Sequence, residues 1–224
     1  MPFSSVLGAS SVIKPGVCTS STRPTVPYTG QLVYETDTGK VASWNGSSWV
    51  YTHSSGLVFI TGASFTTQTS VSLPNDTFTA TYRNYRMIWN VTGGPAGVAT
   101  ITGRLRASGS DSSASSYANM NVGINTAGAA DSGGSAGQTS FAYGTSYPSL
   151  NAPTLVLDVY EPKNTQQTHL LGSALSVTAD GNNYVGRHFV QRFNATTAFD
   201  SFTLISSVAS SMTGYYRVYG YADS

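Results

Sequence analysis

Period-two alternation of apolar and polar positions runs through most of the chain. Tyr85, Met87, Trp89 and Val91 fall on one side of an extended segment, while Arg86, Ile88 and Asn90 fall on the other. That is the pattern of a strand packed on one face and partly covered on the other. Ala99, Ile101, Gly103 and Leu105 alternate in the same way with Thr100, Thr102, Arg104 and Arg106, as expected where a single sheet face is buried. Further strands are predicted over residues 57–61, 64–73, 154–160, 170–178, 184–193, 199–208 and 215–221. The series gives about eight or nine strands between Gly, Ser and Asn turn signals. No segment carries a convincing helical period. The fold expected is all-β: an antiparallel β-sandwich, jelly-roll-like.

The first fifty residues follow a different plan. Within residues 30–50, Leu32-Val33-Tyr34 reads as a strand, Thr36-Asp37-Thr38-Gly39 as a turn, and residues 41–44 as the return. Asn45-Gly46 reverses the chain again into Trp49-Val50-Tyr51, since that dipeptide is the strongest short hairpin signal. A three-stranded meander of this size cannot bury a core alone and needs something to pack against. Ahead of it, Pro15, Pro24 and Pro27 interrupt a Ser/Thr-rich stretch, which reads as an extended arm. The chain therefore divides into an arm over 1–29, a meander module over 30–55 and a sandwich over 56–224. Residues 107–118 and 125–138, built of small and polar side chains, are expected to be mobile loops.

Composition narrows the function. Charged residues make up 9% of the chain and the net charge is +1, so the surface is mostly Ser, Thr, Gly, Asn and Tyr. It has no field to attract nucleic acid or an acidic membrane. Hydrophobic residues at 40% and aromatics at 12% suffice for a packed core. No apolar run is long enough for a spanning helix. The N-terminus lacks the basic start and apolar run of a signal peptide, so export by the general route is not expected. The single cysteine, Cys18, fits assembly in a reducing cytoplasm.

Candidate chemistry is sparse. His53, His169 and His188 stand apart, without the spacing of a metal site. The nucleophile elbow, the Walker loop and the dinucleotide loop are all missing. Asp158 and Glu161 are the only carboxylates close together on a strand, but positions three apart face opposite sides, which argues against a glycosidase pair. Asp180-Gly181-Asn182-Asn183 reads as a hairpin connection before a calcium loop. No catalytic residue, metal site or cofactor is assigned. The aromatics carry more: Tyr215, Arg217, Tyr219 and Tyr221 share one face of the last strand. Tyrosine with arginine supplies stacking area and hydrogen bonds, and a subunit interface is favoured there over a glycan site.

The stretch Lys14-Pro15-Gly16-Val17-Cys18-Thr19-Ser20-Ser21-Thr22-Arg23-Pro24, followed by GQLVYETDTGK and WNGSSW, resembles a module near the N-termini of bacteriophage virion proteins. Gly56-Leu57-Val58-Phe59-Ile60, Tyr82-Arg83-Asn84-Tyr85-Arg86 and residues 214–221 are similar to the all-β distal domains of tail-fibre and head-fibre subunits. The resemblance implies a non-enzymatic, homotrimeric virion appendage assembled in the host cytoplasm. Its N-terminal region would attach to other virion proteins, with Leu32, Tyr34, Trp44 and Trp49 as the candidate attachment and oligomer core. The distal sandwich would bind a bacterial surface glycan or protein. A capsid decoration or head fibre with a purely structural role is the alternative. A cellular carbohydrate-binding module is a weaker third reading.

Overall fold

The computed structural model describes residues 15–51, 56–93, 99–146, 154–177, 183–209 and 212–222. The chain forms two compact units, residues 1–55 and 56–223.

Among the described residues the first unit is a four-stranded sheet. Strands β2 (Leu32–Glu35), β3 (Lys40–Trp44) and β4 (Trp49–Tyr51) form the expected meander. A fourth strand, β1 (Gly16–Cys18), lies parallel to β2, so part of the segment read as an extended arm is paired with the meander. Two contacts tie this segment down. The Ser20 backbone N–H and hydroxyl both donate to Asp37, and Arg23 reaches Glu35, whose side chain has no exposed surface. Tyr51 Oη and Thr38 Oγ1 donate to the same carboxylate, each at 3.0 Å. The Arg23 hydrogen bond leads in holding the Glu35 pKa below the ordinary carboxylate value, against the opposing pull of burial. Residues 1–14 of the expected arm lie outside the described residues.

Among the described residues the second unit has thirteen strands: β5 (Leu57–Gln68), β6 (Ser70–Ser72), β7 (Asn84–Gly93), β8 (Ala99–Ala107), β9 (Ser110–Asp111), β10 (Tyr117–Asn125), β11 (Ala130–Gln138), β12 (Phe141–Ser146), β13 (Thr154–Tyr160), β14 (Thr168–Val177), β15 (Tyr184–Phe193), β16 (Ser201–Ser206) and β17 (Met212–Tyr221). Every pairing among them is antiparallel. Strand β17 pairs with β5 and β7, and β7 with β13. Strand β16 pairs with β6 and β8, and β8 with β12. First with last and second with second-to-last is the order of a hairpin rolled over on itself, a jelly roll. The sandwich expected from the alternation is therefore present, nearly closed into a barrel.

Two insertions enlarge it. Strands β14 and β15 follow β13, and the hairpin β10–β11 enters between β8 and β12. They extend the first layer in the order β13-β14-β15-β10-β11. Much of the stretch expected as mobile loops is thus sheet. Strand β11, with the sequence ADSGGSAGQ, is held by its ladder to β10, and its small side chains leave no alternating apolar signal to read.

The core lies between the layers. Tyr85, Met87, Trp89 and Val91 point inward, as their alternation predicts, with Ala99, Ile101 and Leu105 facing them. Trp89 sits 5.1 Å from Tyr216 and 6.1 Å from Phe202 between ring centres. Tyr117 meets Phe141 and Phe193 edge-on at 4.7 and 4.9 Å. Gly103 makes the middle of this stack possible: a Cβ there would stand 2.2 Å from Phe202 Cζ and 2.7 Å from Tyr143 Cε2.

Gly103→Ala is expected to destabilise the jelly roll by about 1–3 kcal/mol, since overpacking displaces both rings. Urea unfolding followed by near-ultraviolet circular dichroism measures it, and an unchanged midpoint would refute the close approach. In the N-terminal unit, Arg23→Ala leaves a buried carboxylate without its cation. Its melting temperature should fall at neutral pH. A lowered Glu35 pKa stabilises above the unfolded carboxylate value and ceases to do so as pH falls through the folded one, so the gap from wild type should close in acid.

Candidate functional site

Strand β17 occupies the middle of the β5-β17-β7-β13 layer, so its outward residues are bordered on both sides. Tyr215, Arg217, Tyr219 and Tyr221 alternate with the inward Tyr216 and Val218 and share the outer face. In register beside them are Asn90, Ile88 and Arg86 of β7, and beyond these Thr154, Val156 and Asp158 of β13. On the other flank Leu57, Phe59 and Gly62 of β5 pair with Tyr221, Tyr219 and Arg217. The four residues picked from the C-terminal pattern are therefore brought together.

At the centre is an ion pair. Arg86 forks onto Asp158 through Nε to Oδ1 at 2.8 Å and Nη2 to Oδ2 at 2.7 Å. Tyr221 Oη donates to the same Oδ1 at 2.6 Å, and the Arg86 guanidinium lies 5.7 Å from the centre of the Tyr221 ring. Burial pushes the Asp158 pKa up, but the hydrogen bonds from Arg86 and Tyr221 and the Arg86 charge together bring it below the usual value. Burial first, then the bond to Asp158, pushes Tyr221 up to about 12. Arg86 is raised, chiefly by its bond to Asp158. Nearby, Phe59 meets Tyr219 edge-on at 5.8 Å, and Arg217 lies 5.5 Å from the centre of the Tyr215 ring. Arg217 lies across β5 where Gly62 has no side chain: a Cβ there would come within 2.7 Å of Arg217 Cδ.

Chemically this is an aromatic and ion-paired ledge. Its carboxylate is occupied by two donors, so it has no free base to offer, whereas the partly open rings and guanidinium groups present stacking surface and hydrogen bonds. Asp158 and Glu161 do not converge. Glu161 adopts a positive φ of 55° and pairs with Arg83 instead. His169 and His188 are exposed on the outer face of the inserted strands. His53 and residues 180–182 lie outside the described residues. Among the described residues no group of three His, Cys, Asp or Glu side chains stands together as metal ligands, and no helix is long and apolar enough to cross a membrane.

Sequence reasoning missed Arg86, Asp158 and Phe59 as members of this face. A signal existed. Asp158 sits in the middle of the apolar run TLVLDVY, and a carboxylate there requires a partner from a neighbouring strand.

The N-terminal candidates do not form one cluster. Leu32 and Tyr34 are outward on one face of the small sheet, with Val17, Val41 and Val50. Trp44 and Trp49 pair on the opposite face, 5.7 Å apart, with the buried Val33 and Ala42. Alternation decides this: Leu32 is opposite Ser43, so Trp44 is of the other parity. Cys18 is a half-buried free thiol. Comparison with known proteins finds no matching family model, no matching curated protein and no matching solved structure.

Asp158→Asn should cost about 1–2 kcal/mol at neutral pH, a value reduced because Arg86 is partly open to solvent. The lowered Asp158 pKa means the contribution exists above the unfolded carboxylate value and is lost as pH falls through the folded one. The raised Tyr221 pKa works in the other direction, its contribution fading between pH 10 and about 12. Thermal melts of wild type and D158N from pH 2 to 7 check the acid side, where the two curves should converge.

Proposed function

We propose that this chain is a non-enzymatic structural protein of a bacteriophage particle, an appendage subunit in the manner of a tail fibre. The small N-terminal unit attaches it, and the jelly roll presents an outer face for recognition of a bacterial surface glycan or protein. The observation that carries the reading is the open apolar face of the first unit. Val17 is 71% exposed, and Leu32, Tyr34 and Val50 lie open beside it. A four-stranded sheet of this size leaves such a face bare only at the expense of stability, and a docking partner or a ring of like chains covers it. The near-neutral surface and the Tyr/Arg ledge of β17 suit contact with neutral sugars or protein better than with nucleic acid.

Electron microscopy of particles labelled with antibody against the jelly roll tests this. Label at the tail end is expected. Label over the head would assign the decoration role instead, and unlabelled particles would refute the virion reading. Replacing Leu32 and Tyr34 by Asp should remove the protein from particles while the thermal transition of the jelly roll stays in place.

A further inference from the structure

The inserted strands show an inverted pattern. In β10, Asn119 and Asn121 point toward the interior side, while Met120, Val122 and Ile124 point out. This parity is fixed from within. Tyr117 is fully buried, donating its hydroxyl to the Ser112 carbonyl and accepting from the Leu105 N–H. Asn119 Oδ1 accepts from Gln191 Nε2 at 3.0 Å and from the Ala142 N–H at 3.1 Å, and its Nδ2 donates to the Ser140 carbonyl. A slip of one residue would break all of these bonds at once. The outward apolar row is therefore built in, and β15 and β14 continue it with Val190, Leu171 and Leu175. These six aliphatic side chains are between 42% and 62% exposed.

We infer that this outer face of β10, β15 and β14 is a contact surface for a second copy of the same chain. Six half-open aliphatic residues present on the order of 500 Å² of apolar area around the exposed His188, toward the upper end of the largest patch a monomer leaves bare, a size that often marks a functional surface. With the small residues between them, they approach the roughly 800 Å² per partner of a standard stable interface. None of the six is charged, and the chain carries +1 overall, so the aliphatic row does not select a strongly charged partner; the exposed His188 lies among them, between Val122 and Ser173. The patch is aliphatic, whereas sugar platforms use aromatic rings; the aromatic ledge is elsewhere, around β17.

The relief of the surface suits self-association. Met120, Val190 and Leu171 are cross-strand neighbours and form a ridge. Two rows further along, Gly186 lies between Ile124 and Leu175, and Ser173 precedes it between His188 and Val156. These small residues line an open groove of about 590 Å³. Ridge and groove lie at opposite ends of one patch, as an isologous two-fold contact requires: each copy places its ridge in the groove of the other. The same rotation keeps the two Arg192 side chains apart, each lying beside its own ridge and over the far end of the partner's patch, while the middle row of Val122, His188 and Ser173 meets its own copy at the axis. The contact is independent of the virion assignment and of the N-terminal face.

Sedimentation velocity on the full chain at micromolar to hundred-micromolar concentrations, together with thiol labelling, tests it. Wild type is expected to self-associate, and Val122→Asp with Val190→Asp to lose one association step while keeping the wild-type circular dichroism. Leu32→Asp with Tyr34→Asp should leave that step intact, which separates this contact from docking through the N-terminal unit. Val122→Cys in a Cys18→Ser background preserves side-chain size and should react with maleimide more slowly as protein concentration rises. A wild-type monomer throughout, or association unchanged in the Val122/Val190 variant, or labelling independent of concentration, would overturn the inference.

Discussion

The insertion of β17 between β5 and β7 is the constraint on which the second unit depends. Its two ladders join the last strand to the first and to the third of the unit, so the layer carrying Trp89 and Tyr85 is continuous only when β17 is in place. The inward Tyr216 and Val218 of the same strand close the core over Trp89. Pairings that span most of the chain must meet the full loop-closure cost before they return any burial. The jelly roll is therefore completed only when β17 joins it, and the outer ledge of Tyr215, Arg217, Tyr219 and Tyr221 is formed in the same step.

What the sequence revealed of the fold depended on whether side chains alternate in the usual sense. Strands β7 and β8 are apolar inward and polar outward, and their faces are legible residue by residue. Strand β10 has the same period with opposite sense: Asn119 is held inside by hydrogen bonds and Met120 faces out. Strand β11 has no large side chains to alternate. Strand β10 owes its place to a ladder with β15, distant in sequence, and β11 to its hairpin with β10, and no alternation of apolar residues records either. The docking of residues 15–29 on the meander was hidden for a related reason. Prolines and Ser/Thr residues read as extended chain, but Arg23 and Ser20 find carboxylates on the meander, and the pairing is visible only once Glu35 is known to face inward.

The candidate site divides along the same line. Its tyrosines and Arg217 follow from alternation within one strand, whereas the Arg86–Asp158 pair follows from the register between β7 and β13. At the N-terminus, register again mattered: Leu32 and Tyr34 belong to one face and the two indoles to the other. The molecule thus carries three outward surfaces of different chemistry. One is a small aliphatic sheet face on the first unit; on the jelly roll are an aromatic and ion-paired ledge and an aliphatic ridge with its groove. Each type of surface favours a different type of contact.

The two insertions enter the chain at separate points, one before β12 and one after β13, yet β10 and β15 lie side by side along nine paired residues. Neither is complete without the other. Without β10–β11, strand β15 would be a bare edge bearing Val190; without β14–β15, the hairpin would have no sheet to join. A lengthening or loss in one insertion therefore demands an answering change in the other. The pair is best regarded as a single module whose halves are encoded apart and must be inherited together.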